Sequence, residues 1–243
     1  MMVPDGEYRY RIESTDRAGN TITTPDLLFA IDTEEKPVFL SAGYDAFSPN
    51  GDGVKDTISL IPQLKIDQGI DSWILQVEKE NGQTVYESIG EGTVRQQYSW
   101  NGRSDAGERV PEGKYRGVLT VLYTNGTSTT AGSAPFILDV TKPHASVSAD
   151  PDIFSPNNDG RKETITFTQQ TSDEQLWEGI IKDAAGNIVK EFSWRGPAEK
   201  ALTWDARNEE RKIAEDGRYT YTLAGTDEAG NSGESASISF TID

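Results

Sequence analysis

The feature that most constrains this chain is an internal repeat. The segment FSPN begins at Phe47 and again at Phe154, an offset of 107 positions (154 minus 47). Trp100 and Trp204 also match, at the slightly smaller offset of 104 (204 minus 100). Self-similarity at a fixed period is the signature of an array of structural units. The 243-residue chain therefore contains two full copies of one unit.

A partial third copy precedes the two full ones. The segment DGEYRYRIESTDRAGN (5–20) matches DGRYTYTLAGTDEAGN (216–231). The chain therefore reads as a piece of a longer array. Both linkers are short, polar and end in proline, which limits hinge motion. We divide the chain into the C-terminal hairpin of a truncated domain (residues 1–35) and two full domains (36–141 and 142–243). Because that hairpin lacks partner strands, we expect exposed edges and pairing with a second chain, a dimer that would be an artefact of truncation.

Each copy has the pattern of β-structure. In WILQVEKE, Trp73, Leu75 and Val77 alternate with mostly polar residues, which is the period of a half-buried strand. Asn-Gly and Gly-Asn pairs separate such runs and are typical of hairpin turns. The prediction is an all-β fold, namely tandem immunoglobulin-like β-sandwiches of about seven strands each, preceded by the partial domain.

A tyrosine follows an acid-Gly-x turn in all three copies, at Tyr8, Tyr115 and Tyr219. A tyrosine that opens the penultimate strand of a sandwich commonly hydrogen-bonds back to the preceding backbone, as a tyrosine corner. We assign the three tyrosines to that role. Trp73 and Trp177 lie where a sandwich buries a core tryptophan.

Composition excludes several classes of function. Asp and Glu number 40 against 23 Lys and Arg, a net charge of −17, so we expect neither nucleic-acid binding nor membrane insertion. The chain has no cysteine and a single histidine, His144, which follows a linker proline. Most nucleophile–base pairs are therefore absent from the sequence, and no pair of acids stands out by its context. We predict that the chain is not an enzyme.

The loops FSPNGDGVKD and FSPNNDGRKE raise the question of calcium. Calcium is bound by carboxylate, carbonyl and water oxygens. The spacing does not match an EF-hand, because Ser59 stands where that loop needs a bidentate acid. Turn-forming Pro, Gly, Asn and Asp would also build such a loop without an ion, with the acids capping loop amides. No other cofactor is indicated. The candidate metal ligands are Asn50, Asp52 and Asp56 in the first loop and Asn157, Asp159 and Glu163 in the second.

Three segments resemble known bacterial modules. YSWNGRSDAGERVPEGKYRG (98–117) resembles the signature of Ig-like domains related to that of the flagellar hook-capping protein. FSPNGDGVKDTISL resembles the opening of the same modules and of C-terminal domains on exported bacterial proteins. DRAGN and DEAGN resemble hairpins of large tandem Ig-like adhesins. The last copy departs from the signature, with Ala206 and Arg211 in place of glycine.

The adhesin resemblance implies a second cation hypothesis. In such arrays this hairpin, here bearing Asp16 or Asp227, faces the neighbouring domain. Calcium could bridge it to the acids that end each domain, Asp32, Asp139 and Asp243. The middle copy has Tyr123 in place of the hairpin Asp, and the alternative is that all these acids are solvated.

We predict an architectural role: a spacer or presenting module of an exported bacterial surface or secreted protein, within an adhesin. Its location would be extracytoplasmic (cell surface, secreted or periplasmic), and its partners would be neighbouring Ig-like domains. The alternative is a binding module for a glycan or a partner protein. Trp194 is the candidate ligand-binding residue, because Gly90 aligns with it in the other copy; local packing is its other explanation.

Overall fold

The computed structural model describes residues 3–243. The partial domain consists of β1 (Gly6–Tyr10), β2 (Glu13–Thr15), β3 (Thr21–Thr23) and β4 (Leu27–Ile31). Strand β1 pairs with β4 and β2 pairs with β3, both antiparallel. The hairpin exposes apolar side chains, including Leu28 (72% exposed) and Ile22 (74%). One face of this hairpin therefore lacks the covering that a second sheet would provide.

The first full sandwich consists of β5 (Val38–Ala42), β6 (Ala46–Phe47), β7 (Ile58–Leu64), β8 (Ile70–Lys79), β9 (Thr84–Glu91), β10 (Tyr98–Trp100), β11 (Gly113–Tyr123), β12 (Ser128–Gly132) and β13 (Phe136–Leu138). One sheet has the order β10-β7-β5. The other has the order β6-β13-β11-β8-β9, with β12 also paired to β11. All pairs are antiparallel except β6 with β13.

The second full sandwich consists of β14 (Ala145–Asp150), β15 (Ile153–Phe154), β16 (Ile165–Thr171), β17 (Leu176–Asp183), β18 (Ile188–Trp194), β19 (Ala201–Trp204), β20 (Gly217–Thr226), β21 (Ser232–Glu234) and β22 (Ile238–Ile242). Its sheets have the orders β14-β16-β19 and β15-β22-β20-β17-β18, with β21 on β20. This is the arrangement of the first sandwich, element for element. The predicted fold class is confirmed, but each full sandwich has nine strands rather than about seven, because short strands such as the two-residue β6 and β15 add to the count. The domain boundaries stay a prediction.

Each sandwich has its own core between its two sheets. In the first, Phe47 and Trp100 pack together with ring centroids 5.7 Å apart. In the second, the equivalent pair, Phe154 and Trp204, is 6.0 Å apart. All four side chains are at most 3% exposed. The repeated aromatic residues are therefore core residues.

The predicted tyrosine corners are present in all three copies. The hydroxyl of Tyr115 donates to the carbonyl of Pro111 at 2.6 Å, and that of Tyr219 donates to the carbonyl of Glu215 at 2.6 Å. Tyr8 makes the same bond to the carbonyl oxygen four residues earlier, at 2.5 Å. This bond ties the turn before the penultimate strand to the strand itself, even in the partial domain.

The two departures from glycine lie in left-handed backbone. Ala206 and Arg211 both have φ of 62°, where the first sandwich has Gly102 (72°) and Gly107 (78°). The backbone conformation is thus retained although the glycines are not. Left-handed backbone is unfavourable for residues with a Cβ, so the second sandwich carries two local costs that the first avoids.

Within residues 3–243, the structure has no helix long and apolar enough to cross a membrane.

Candidate functional site

The first Asn/Asp/Gly loop joins β6 to β7, and its carboxylates cap backbone amides. Asp56 accepts hydrogen bonds from the N–H groups of Gly51 (2.6 Å) and Gly53 (2.8 Å). Asp52 accepts from the N–H of Val54 at 2.8 Å. That bond, with a further one from the Asn50 side chain, lowers the pKa of the Asp52 carboxyl. The loop is closed by its own side chains.

The second loop, between β15 and β16, repeats this bonding. Glu163 accepts from the N–H groups of Asn158 and Gly160, both at 2.8 Å. Asp159 accepts from the N–H of Arg161 at 2.8 Å, and its own N–H donates to Asn157 at 3.0 Å. Glu163 thus caps the second loop as Asp56 caps the first. Its side chain is longer, but its two carboxyl oxygens still accept from two backbone N–H groups.

The six candidate metal ligands are therefore close together within their two loops. Their oxygen atoms, however, accept hydrogen bonds from backbone N–H groups of the same loop. Among the described residues, no three His, Cys, Asp or Glu side chains are grouped so that they could hold one metal ion. This includes the acids of the second cation hypothesis, although five carboxylates line the cleft between the full domains: Asp139, Asp173, Glu174, Asp227 and Glu228. Calcium binding at either location stays a prediction.

The hairpin between β20 and β21 is a self-stabilised turn. Asp227 accepts from the backbone N–H of Asn231 at 2.8 Å and from its side-chain Nδ2 at 2.7 Å. The backbone N–H groups of Gly230 and Asp227 add turn bonds at 3.2 and 3.1 Å. This bonding fixes the Asn231 carboxamide, with its oxygen directed away from Asp227.

Asn231 is the centre of the junction between the two full domains. Its Oδ1 accepts from the Ser48 hydroxyl at 2.5 Å and from Asn50 Nδ2 at 3.1 Å. Its Nδ2 donates to the backbone carbonyl of Asp139 at 3.0 Å, besides its bond to Asp227. Two donors and two acceptor positions exhaust the hydrogen-bonding capacity of an amide. Asn231 and Ser48 are both fully buried.

Further contacts surround this central amide. Lys55 Nζ donates to the carbonyl of Glu228 at 2.6 Å. A Cβ added to Gly230 would lie 2.7 Å from Cγ1 of Val54, so the hairpin tip fits closely against the loop. Ala229 is 1% exposed. The loop of one sandwich and the hairpin of the next therefore form one packed and hydrogen-bonded contact.

Asp139, which directly follows the last strand of the first full sandwich, carries an unfavourable charge. Burial raises the pKa of its carboxyl, and the nearby carboxylates of Asp227 and Glu112 raise it further, against a lowering bond from the N–H of Thr141. Its backbone N–H donates to the carbonyl of Phe47 at 3.1 Å. The backbone of Asp139 is thus needed for the junction, whereas its charge opposes it.

The junction before the first full domain uses different side chains. Asp32 accepts from Lys36 Nζ at 2.8 Å and from Asn125 Nδ2 at 2.9 Å. Lys36 is 7% exposed and lies 5.5 Å from the centre of the Tyr123 ring. Tyr123 replaces the hairpin aspartate here, and a cation–π contact joins the ion pair.

Trp194 lies half-buried on β18, directly opposite Trp177. It stacks nearly parallel on Phe192, with ring centroids 6.0 Å apart, and packs against the core. Gly90 takes the same cross-strand position opposite Trp73 in the first sandwich. The sequence alignment of Trp194 with Gly90 is therefore confirmed, while a ligand-binding role for Trp194 stays a prediction.

Sequence reasoning missed the residues that form the junction. The sequence assigns no role of its own to Ser48, and it presents Asn231 only as part of a hairpin motif. The hairpin motif itself gives no signal, because Asp183–Asn187 (DAAGN) repeats it with the same internal bonds and contacts no neighbouring domain in the part of the chain described.

Comparison with known proteins gives one family match. Residues 42–134 match the type IX secretion signal domain, which covers less than half of the chain and falls within the first full domain. A secretion signal belongs to exported proteins, and the predicted extracytoplasmic location is thereby confirmed. No curated protein matches the chain.

Several solved structures are similar in outline. A tetra-tandem repeat from the extending region of a large adhesion protein is 18% identical with a TM-score of 0.35, over 98% of this chain and 57% of its own length. Fibronectin(III)-like modules of Clostridium thermocellum CbhA are 13% identical with a TM-score of 0.43, over 84% and 92%. A 1.5-MDa bacterial ice-binding adhesin is 13% identical with a TM-score of 0.45, over 87% and 66%. This chain thus spans little more than half of the first of these, and no functional conclusion rests on them.

Proposed function

We propose that this chain is a non-catalytic, semi-rigid spacer within an exported bacterial surface or secreted protein. The proposal extends to a place in an adhesin and to kinship with the Ig-like domains of the hook-capping protein, both read from the sequence motifs. Neighbouring Ig-like domains are the partners of such a spacer. Calcium at the two loops, if bound, would add to its stiffness.

The junction centred on Asn231 is the observation that supports this function. A flexible tether would leave the surfaces of its two domains solvated, whereas here Ser48, Asn231 and Ala229 are almost fully buried between the domains. Relative motion is the default for domains within one chain, so an orientation is restrained here by the buried, fully hydrogen-bonded Asn231 amide. A specific contact with a four-residue linker, 140–143, gives a fixed orientation, which is what a spacer requires.

Small-angle X-ray scattering on the full chain tests this proposal. We expect the curve to fit one arrangement of the two full domains. Gly230→Ala should broaden the distribution of interdomain distances, because its Cβ would meet Val54 at 2.7 Å. Gly186→Ala is the matched control: the same turn and a similar φ, 88° against 94°, with no atom within 4 Å of the added Cβ. An ensemble of orientations for the unmodified chain would rule out the semi-rigid spacer.

The alternative, a binding module for a glycan or a partner protein, rests on Trp194 and has its own test. A glycan array probed with the full chain would identify sugar ligands, and Trp194→Ala would show whether this residue binds them. We expect no glycan signal from either protein. A signal lost in the variant would favour the binding module.

A further inference from the structure

The bonds at the junction fall into two groups. One group lies inside the hairpin Asp227–Asn231 and makes its turn. The other crosses between domains and uses Ser48, Asn50 and the carbonyl of Asp139. Only the second group requires a neighbouring domain. The same hairpin motif occurs at 16–20 and the same loop motif at 155–163, each without a neighbouring domain against it in the described part of the chain, and these copies show what each motif forms alone.

The hairpin motif forms without a partner domain. In the partial domain, Asp16 accepts from the Asn20 N–H and from Asn20 Nδ2, each at 2.9 Å. These are the bonds that Asp227 makes to Asn231. Ala18 is exposed, however, whereas its counterpart Ala229 is 1% exposed. The turn is therefore preorganised, and docking buries it without remaking it.

The loop motif is likewise preorganised in its second copy. The Ser155 N–H donates to the Lys162 carbonyl at 2.8 Å, as the Ser48 N–H does to Lys55 at 3.0 Å. Lys162 has φ of 49° and Lys55 has 47°. The two loops thus share one backbone shape, fixed by their own side chains.

The second loop presents its docking groups to solvent. Ser155 is half-buried and Asn157 is exposed, whereas Ser48 is fully buried. The N–H of Asp243 donates to the Phe154 carbonyl at 3.1 Å, as that of Asp139 does to Phe47. Hence the carbonyl of Asp243 corresponds to the one that accepts from Asn231.

We propose that the loop Ser155–Glu163, with the carbonyl of Asp243, is a docking site for another sandwich domain of this kind. The part of that domain it receives is an Asp-x-Ala-Gly-Asn hairpin after the penultimate strand. Ser155 and Asn157 donate to the oxygen of the hairpin asparagine, and Asp243 accepts from its nitrogen. This inference rests on the proposed spacer function and gives it a mechanism: loop and hairpin are a matched pair that sets domain orientation.

One difference between the loops bears on the fit. Arg161 stands where the first loop has Val54, the residue that contacts Gly230. An arginine can lay its methylene stem along an apolar surface and keep its charge in solvent. A hairpin glycine could therefore pack against Arg161 as Gly230 packs against Val54. The polar groups of the first loop, Ser48 and Asn50, have the identical residues Ser155 and Asn157 in the second.

The test lengthens the full chain with a second copy of residues 140–243 after Asp243, which reproduces the natural linker. Hydrogen exchange is then measured at the amides of 155–163. We expect exchange there to slow by about tenfold or more relative to the 243-residue chain, to a level similar to that of 48–56. Amides of the hairpin 183–187 serve as the internal control and should not change.

Two variants make the test specific. Ser155→Ala should leave the 243-residue chain unchanged but reverse the protection in the lengthened chain. Ser48→Ala should likewise weaken the existing junction, because it removes the bond to Asn231. Alanine at the added copy's counterpart of Asn231 should also reverse it. Protection that survives both changes would mean docking by other groups and would overturn the inference.

The two proposals fail in different ways. If 48–56 is protected and 155–163 is not, the paired-motif inference is overturned and the spacer function stands. If neither loop is protected and the scattering requires many orientations, both are overturned.

Discussion

Large and small side chains exchange places between the two cores. Trp73 lies over Gly90, where a Cβ would come within 2.2 Å of its ring, and Val121 occupies the opposite side. In the second sandwich Trp177 instead lies over Gly225, where a Cβ would come within 2.6 Å. The equivalents of Gly90 and Val121 are Trp194 and Gly225. The core tryptophan thus has its glycine neighbour on one adjacent strand in the first sandwich and on the opposite adjacent strand in the second. The exchange supports local packing, the alternative explanation of Trp194.

A second exchange follows the same rule. Tyr221 stacks on Phe167 with ring centroids 4.3 Å apart, and Gly179 makes room for its hydroxyl. In the first sandwich the equivalents of Tyr221 and Gly179 are Gly117 and Leu75. Gln169 accepts the Tyr221 hydroxyl bond, so the buried polar group is satisfied. Burial raises the pKa of Tyr221 above its usual range, so this phenol stays protonated and donates its hydrogen bond at neutral pH.

Gly90→Ala tests the first exchange. We expect a loss of about 1–3 kcal/mol in the unfolding free energy, because the added methyl overlaps the Trp73 ring. Chemical denaturation monitored by tryptophan fluorescence measures it. Gly132→Ala is the control in the same sandwich, since its Cβ would meet only a backbone oxygen at 3.9 Å. Equal effects of the two changes would refute the packing explanation.

The left-handed positions allow a reciprocal prediction. Arg211→Gly should stabilise the second sandwich by about 0.5–1 kcal/mol, because it removes a side chain from unfavourable backbone. Gly107→Arg should destabilise the first by a similar amount, since no atom lies within 4 Å of the added Cβ and the backbone conformation is the main cost. Calorimetry on both variants checks the pair, and shifts of the same sign would contradict the conformational cause.

At the scale of elements, the two Asn/Asp/Gly loops depend on their capping acids. Asp56→Ala and Glu163→Ala each remove two bonds from a carboxylate to backbone N–H groups, and we expect each to cost about 1–2 kcal/mol. Thermal melting with millimolar calcium and with chelator provides the second measurement. If the acids act as caps, calcium leaves the melting temperature of the unmodified chain unchanged. An increase abolished by both variants would establish a calcium site.

Elements were predictable from the sequence where their signals are local. The period-two runs, the Asn-Gly turns and the tyrosines after acid-Gly-x gave the strands β8 and β11 and the tyrosine corners. The loop–hairpin contact was not predictable in this way, because Ser48 and Asn231 are 183 positions apart. Asn, Asp and Gly form the same turns whether or not a neighbour covers them, as Asp183–Asn187 demonstrates.

The core exchanges were also beyond a reading of single residues. The sequence assigns no packing role to Gly90 or Gly225, and it leaves Trp194 as an aromatic residue without a counterpart in the other copy. Each makes sense only with its cross-strand partner, and the partner is set by register. The exchanges would have been revealed by comparing the aligned copies. At each exchanged position one copy has a glycine and the other has a larger residue.

At the scale of the whole molecule, the junction makes interdomain stability depend on pH. The pKa of Asp139 is raised above its ordinary 3.8 in the folded state, chiefly by burial. Its charge therefore disfavours the folded junction at neutral pH. This penalty is relieved as pH falls through the folded pKa toward 3.8. The neighbouring carboxylates of Asp227 and Glu112 add to this penalty, because their negative charges raise the pKa of Asp139 further.

Asp139→Asn isolates this effect. We expect a higher melting temperature than the unmodified chain at pH 7, because the variant has no charge to bury and keeps an acceptor for the Thr141 N–H. The difference should shrink as the pH is lowered toward 4. Melting curves from pH 7 to about 4 check it. A difference that grows on acidification would mean that the Asp139 carboxylate stabilises the junction.

The parallel pairs β6 with β13 and β15 with β22 have a mechanical consequence. In each sandwich, one of these strands lies near the start of the domain and the other at its end. Tension applied along the array pulls two parallel strands in opposite directions along their length. Their hydrogen bonds are then loaded in shear and must break together, whereas an antiparallel terminal pair would open one bond at a time. A pulling force on the array would therefore load each sandwich in shear at these two-residue parallel pairs.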